Sequence, residues 1–190
     1  MITRSRSTVR WLVAALVVAT VLAGAAVVVH RLQAGHRAPL DALLVPPSTI
    51  DLLSGEQWQE DSARAVGGEL TRQWVNARSR DRFVQSIIEH SGGITARYGY
   101  SAEDPRINDR EDFGPEGVRE TPLGVPVSAD QSLIYCLLTG RQNEPCSLWV
   151  YWSRYGLYTV KIYYREPGLD AARFAEIVKI VDARISAVLD

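Results

Sequence analysis

The chain has 190 residues and only two cysteines, which allows one domain with a real core and excludes a disulfide-dense scaffold. Five basic residues and no acid lie up to Arg37, whereas the rest of the chain holds 16 basic and 22 acidic residues. The acidic part repels phosphate backbones, so no nucleic-acid partner is expected.

Residues 1–10 form a basic stub with Arg4, Arg6 and Arg10, and the nineteen residues 11–29 that follow carry no charge. As a helix this run rises about 28 Å, close to the ~30 Å hydrocarbon thickness of a bilayer. A backbone in lipid must satisfy its own polar groups, so the expected form is a transmembrane helix with the lipid bilayer as its partner. The arginines ahead of it predict a cytoplasmic N-terminus, and Trp11 suits the headgroup level. A cleaved signal peptide is the alternative, with Ala23-Gly24-Ala25 as a small-x-small site, although apolar residues continue through 27–29. A lipoprotein signal is excluded because Ala25 stands where the lipidated cysteine would be. Ala15, Ala19 and Ala23 form a ladder of small residues suited to helix packing.

Residues 30–47 read as a juxtamembrane linker closed by Pro46-Pro47, and 48–190 as an extracytoplasmic domain. Ser48 can cap a short helix reaching Leu53, with Gly55 as its stop. A polar stretch then leads to Gly67-Gly68, and 69–76 reads as a strand carrying Trp74. In 81–90, Phe83, Val84, Ile87 and Ile88 also suit a helix, but the β-branched content favours a strand. Gly92-Gly93 then separates that strand from a short helix at 94–102. Residues 103–126 read as a long acidic loop with Pro105, Pro115, Pro122 and Pro126. Asn108, Asp109, Glu111, Asp112 and Glu116 invite a calcium reading, but Phe113 stands where the loop template requires glycine. No metal or cofactor is expected.

Strands are expected at 132–138, 148–154 and 157–165, with a connection at 139–145 and a tight turn at Tyr155-Gly156. Asp170 then caps a helix whose Phe174, Ile177, Val178, Val181, Ile185, Val188 and Leu189 share one face. The fold class expected is α+β: a transmembrane helix, then a largely antiparallel sheet packed by a C-terminal helix. Cys136 and Cys146 flank the connection, and two cysteines with distant histidines do not make a zinc site. A disulfide is the economical reading and requires an oxidising compartment, in accord with the topology; buried free thiols in a cytoplasmic domain are the alternative.

The sequence holds no nucleophile elbow, phosphate-binding glycine loop or H-E-x-x-H motif. His90 and Ser91 are adjacent, but neighbours on a strand point to opposite faces. Glu89, Glu103 and Asp104 could supply a carboxylate pair for glycoside cleavage, a grouping that chance also produces among 22 acids. No catalytic residue is assigned. With a Tyr155-Gly156 turn, Trp149 would pair with Ile162 and Tyr151 with Val160, on the same face as Tyr158 and beneath the C-terminal helix. The opposite face would pair Leu148 with Tyr163, Val150 with Lys161 and Trp152 with Thr159. Val150, Trp152, Lys161 and Tyr163 are therefore expected as an exposed binding patch for an envelope protein or a glycan, unless the 94–102 helix or the long loop covers it.

Arginine outnumbers lysine 19 to 2, a bias similar to that of high-GC bacteria. Asp130-Gln131-Ser132, Cys136, Arg154-Tyr155-Gly156 and the closing helix up to Arg184-Ile185 resemble small extracytoplasmic domains of actinobacterial membrane-anchored and lipoprotein-like proteins. The resemblance spans about a third of the chain and implies an extracytoplasmic location and an α+β fold more than an activity; the absent lipobox cysteine implies anchoring by the helix itself. The function expected is a non-enzymatic binding, sensor or assembly module held at the membrane. The alternatives are an enzyme acting on envelope polymers and a secreted domain released by signal-peptide cleavage.

Overall fold

The computed structural model describes residues 37–46, 48–50, 58–79, 81–113, 117–121, 123–138, 146, 148–166 and 169–190. The uncharged run at 11–29, the later part of the 48–53 helix and the 139–145 connection lie outside them. Among the described residues no helix is long and apolar enough to cross a membrane.

Seven strands make one antiparallel sheet: β1 (Trp58–Val66), β2 (Glu69–Asn76), β3 (Arg82–Glu89), β4 (Val118–Glu120), β5 (Gln131–Leu137), β6 (Leu148–Tyr155) and β7 (Tyr158–Arg165). Their order across the sheet is β1-β2-β3-β7-β6-β5-β4. Among the described residues three complete α-helices accompany it, α1 (Gly93–Ala102), α2 (Pro105–Phe113) and α3 (Ala171–Leu189), besides a 3-10 turn at Leu40–Leu43 and a helical start at 48–50. The α+β class, the antiparallel sheet and the C-terminal helix accord with the sequence. So do the strands at 69–76 and 81–90 and the helix at 94–102.

Two expectations are corrected. The polar stretch before Gly67-Gly68 is the edge strand β1, which exposes every residue except Trp58. With one buried side chain in nine it has no period-2 signal, and its strand character comes from pairing with β2 across the Gly67-Gly68 turn. The long acidic loop contains α2 and the three-residue β4. Proline at the first position of α2 is compatible with a helix start, because the missing N–H would have no partner within the helix there.

The β6–β7 turn is also corrected. Tyr155 pairs with Tyr158, so Gly156 and Leu157 are the central residues. Gly156 takes φ +56°, a left-handed conformation that glycine adopts without a side-chain penalty, and this places it first in the turn. Every cross-strand partner shifts by two residues: Trp149 faces Tyr164, Tyr151 faces Ile162 and Trp152 faces Lys161. A shift of two leaves each side chain on its face, so the expected faces stand although the pairs do not.

Trp149, Tyr151, Tyr158, Val160, Ile162 and Tyr164 form the floor of the main core. Asp170 caps α3 by accepting a hydrogen bond from the Arg173 N–H at 2.8 Å. The buried stripe Phe174, Ile177, Val178, Val181 and Ile185 then lies on this floor, with Phe174 stacked on Trp149 at 5.3 Å. The expected linker is not one over its later part. Leu43, Leu44 and Val45 are buried in the same core. The buried Gln85 accepts from the Val45 N–H at 2.9 Å and donates to the Leu43 carbonyl at 3.3 Å. The Tyr158 hydroxyl accepts from the Ala38 N–H at 2.7 Å and donates to the Ala38 carbonyl. Backbone polar groups that would be costly to bury are thus satisfied by two side chains of the sheet.

Arg154 gathers several of the residues on which the resemblance rests. It reaches Asp130 at 2.8 Å, Gln131 at 3.1 Å and the Gly156 carbonyl at 3.1 Å, while the Gly156 N–H donates to Asp130 at 2.8 Å. These residues pin the β6–β7 turn to the start of β5.

Candidate functional site

The face of the sheet away from α3 carries the expected patch. Trp152 is 2% exposed and Val150 0%, so both are corrected from surface to interior. The cover is α1. Tyr100 stacks on Trp152 with ring centroids 5.5 Å apart and planes within 7°, and the Trp152 indole N–H donates to the Tyr100 carbonyl at 3.1 Å. Val150 packs with Tyr135 and Leu137 into a second, smaller core. Lys161 and Tyr163 are half-buried, and the Lys161 ammonium lies 5.1 Å from the centre of the Tyr163 ring.

Glycine explains how α1 comes so close. A Cβ at Gly99 would stand 2.4 Å from Cε1 of His90, so this turn of the helix lies directly on the imidazole. The imidazole Nε2 meets the Thr159 hydroxyl at 3.1 Å. Burial holds His90 below its ordinary pKa, against Glu103, which raises it. Its hydroxyl neighbour in space is therefore Thr159 rather than Ser91, and Thr159 is fully buried, closed to any substrate.

Asp109, on α2, is the polar centre of this face, within the stretch that the sequence reads as a long acidic loop. It is buried, and its carboxylate accepts from the Tyr135 hydroxyl at 2.5 Å and the Tyr163 hydroxyl at 3.4 Å. No stripe of apolar residues announced α2, so only the surplus of phenols on the facing strands could have pointed to it. Burial pushes the Asp109 carboxyl up, while Tyr135, Lys161 and Tyr163 pull it down; the net direction is upward. The folded protein thus holds this proton more tightly than the unfolded chain, whose carboxyl titrates near ~3.9. That contribution to stability is complete below the unfolded value and is lost as pH rises through the folded one. Relative to Asp109→Asn, the wild type should lose stability as pH rises from about 4, measured as urea midpoints across a pH series. Parallel profiles would mean that Asp109 carries no such coupling.

The three carboxylates considered for glycoside cleavage have separate settings. Glu89 pairs with Arg37 at 3.3 Å, and Glu103 is exposed. Burial pushes Asp104 up, but the hydrogen bonds and charge of Arg106 outweigh it and hold the carboxyl below its ordinary value. Arg106 also engages Glu120, tying the start of α2 to β4. Among the described residues no three metal-ligating side chains converge, and Asn108, Glu111 and Asp112 point to solvent. A surface cleft of 380 Å³ lies beside the end of β4, lined by Thr121, Leu123, Val125, Leu133 and Ile134 among others.

The Cys136 and Cys146 sulfurs lie at disulfide distance, with Cα atoms 5.6 Å apart. Non-reducing peptide mapping should recover the two cysteines in one linked peptide pair. Reduction should cost about 2–3 kcal/mol, because the bond closes a short loop. Two alkylatable thiols in freshly isolated protein would show that the pair is not joined.

The chain is an α+β protein with a seven-stranded antiparallel sheet and helices packed on both faces at its β6–β7 centre. Compared with known families, curated proteins and solved structures, the chain matches none.

Proposed function

We propose that this chain is a single-pass membrane protein whose C-terminal domain lies outside the cytoplasm and serves as a binding or assembly module. The observation that carries the reading is the cysteine pair at disulfide distance, in a domain that follows an uncharged run of bilayer length. The polar groups of the covered face support a non-catalytic role. Thr159 is closed to solvent, and Asp109 is engaged by two phenols, so these groups hold the helical layer in place. An envelope protein or a glycan is the proposed partner, with the cleft beside β4 as its contact.

The test is the mass of membrane-extracted protein combined with protease digestion of intact cells. The expected result is a chain that keeps residues 1–29 and a domain degraded from outside. Ala23-Gly24-Ala25 favours a second reading, a secreted domain, and a mature N-terminus at Ala26 would establish it instead. A domain shielded from protease would overturn the topology.

A further inference from the structure

We infer that one end of the sheet, formed by the β1–β2 hairpin tip and the first turns of α1, rests on the membrane surface. The inference rests on the proposed anchoring by residues 11–29 and adds which part of the domain meets lipid. Two observations converge on this end.

The first is where the chain enters the domain. Arg37 pairs with Glu89 and reaches the Ser91 carbonyl at 3.5 Å, and Ala38 is bound by the Tyr158 hydroxyl. Glu89, Ser91 and Tyr158 all lie at the end of the sheet that holds the Gly67-Gly68 and Gly156-Leu157 turns.

The second is what that end exposes. Val66, at the hairpin tip, is 58% exposed; Ile94 and Tyr98, one turn apart on α1, are 70% and 76% exposed. The tip and the start of α1 are neighbours, because the Glu89 N–H donates to the Gly68 carbonyl at 2.9 Å, just ahead of Ser91 and α1. These are three of the four large apolar side chains with high exposure among the described residues. Arg97 is exposed beside them. A tyrosine with aliphatic and arginine neighbours has the composition of a membrane–water interface, where amphipathic rings and long cationic side chains are favoured.

The experiment uses the full-length protein in nanodiscs of phosphatidylcholine and phosphatidylglycerol. Nitroxide labels are placed by Val66→Cys, Tyr98→Cys and Arg78→Cys. All three positions are exposed, and Arg78 lies in the β2–β3 turn at the opposite end of the sheet. Labels at 66 and 98 should collide more often with oxygen than with a water-soluble nickel chelate, and the label at 78 should show the reverse. If 66 and 98 are as water-accessible as 78 while the mass shows residues 1–29 retained, the inference fails and the anchoring stands. If 98 is shielded from both reagents, a protein contact covers α1 and the inference also fails. A chain that begins at Ala26 and does not enter the discs would overturn both readings.

Discussion

Trp152→Ala should destabilise the domain by about 3–5 kcal/mol, the cost of removing a large aromatic from a packed interior. For a domain of this size that corresponds to a fall in Tm of roughly 6–20 °C. The effect has three sources. The indole is 2% exposed, its stack on Tyr100 is lost, and the Tyr100 carbonyl loses the donor that fastens α1 to β6. Tyr98→Ala is the matched control, because Tyr98 is on the same helix but 76% exposed, and it should change stability by no more than about 0.5 kcal/mol. If Trp152→Ala melts like the wild type, then α1 does not cover β6 and the face is open after all.

Gln85→Leu should be similarly damaging for the opposite chemical reason. The substitution keeps the volume and increases apolarity at a fully buried position, so burial of apolar surface alone predicts a gain. Gln85, however, satisfies both the Val45 N–H and the Leu43 carbonyl. Each orphaned buried group costs about 1–3 kcal/mol, which gives a loss of about 2–6 kcal/mol. Hydrogen exchange at the Val45 amide should accelerate in the variant. Equal stability with unchanged exchange would show that another contact holds residues 43–45 in the core.

These two residues mark where the sequence was informative and where it was not. Trp152 alternates cleanly with Tyr151 and Ser153, so its face was readable from the period of the strand even though the turn was misplaced by one position. Its burial was not readable, because that depends on α1, a helix of ten residues whose inner surface is Ala96, Gly99 and Tyr100. Small residues leave no apolar stripe, yet they allow the close approach that buries the sheet beneath them. Gln85 shows the converse. A polar residue in a strand reads as solvent-facing, and only a segment some forty positions earlier makes its burial favourable. Asp109 was misread on the same grounds, since its two phenolic partners lie on β5 and β7.

By itself the sequence determined those features whose information is local. The uncharged run stands out by length and composition. The α3 stripe is periodic from Phe174 to Leu189, the β6 and β7 faces alternate, and Cys136 and Cys146 flank one connection. Tertiary structure alone decided that β1 is a strand, that residues 38–45 belong to the core, and that the face bearing Trp152 is covered. In each case the deciding groups are backbone hydrogen bonds or side-chain partners supplied by distant elements, and such pairings leave no periodic trace in the segment they organise.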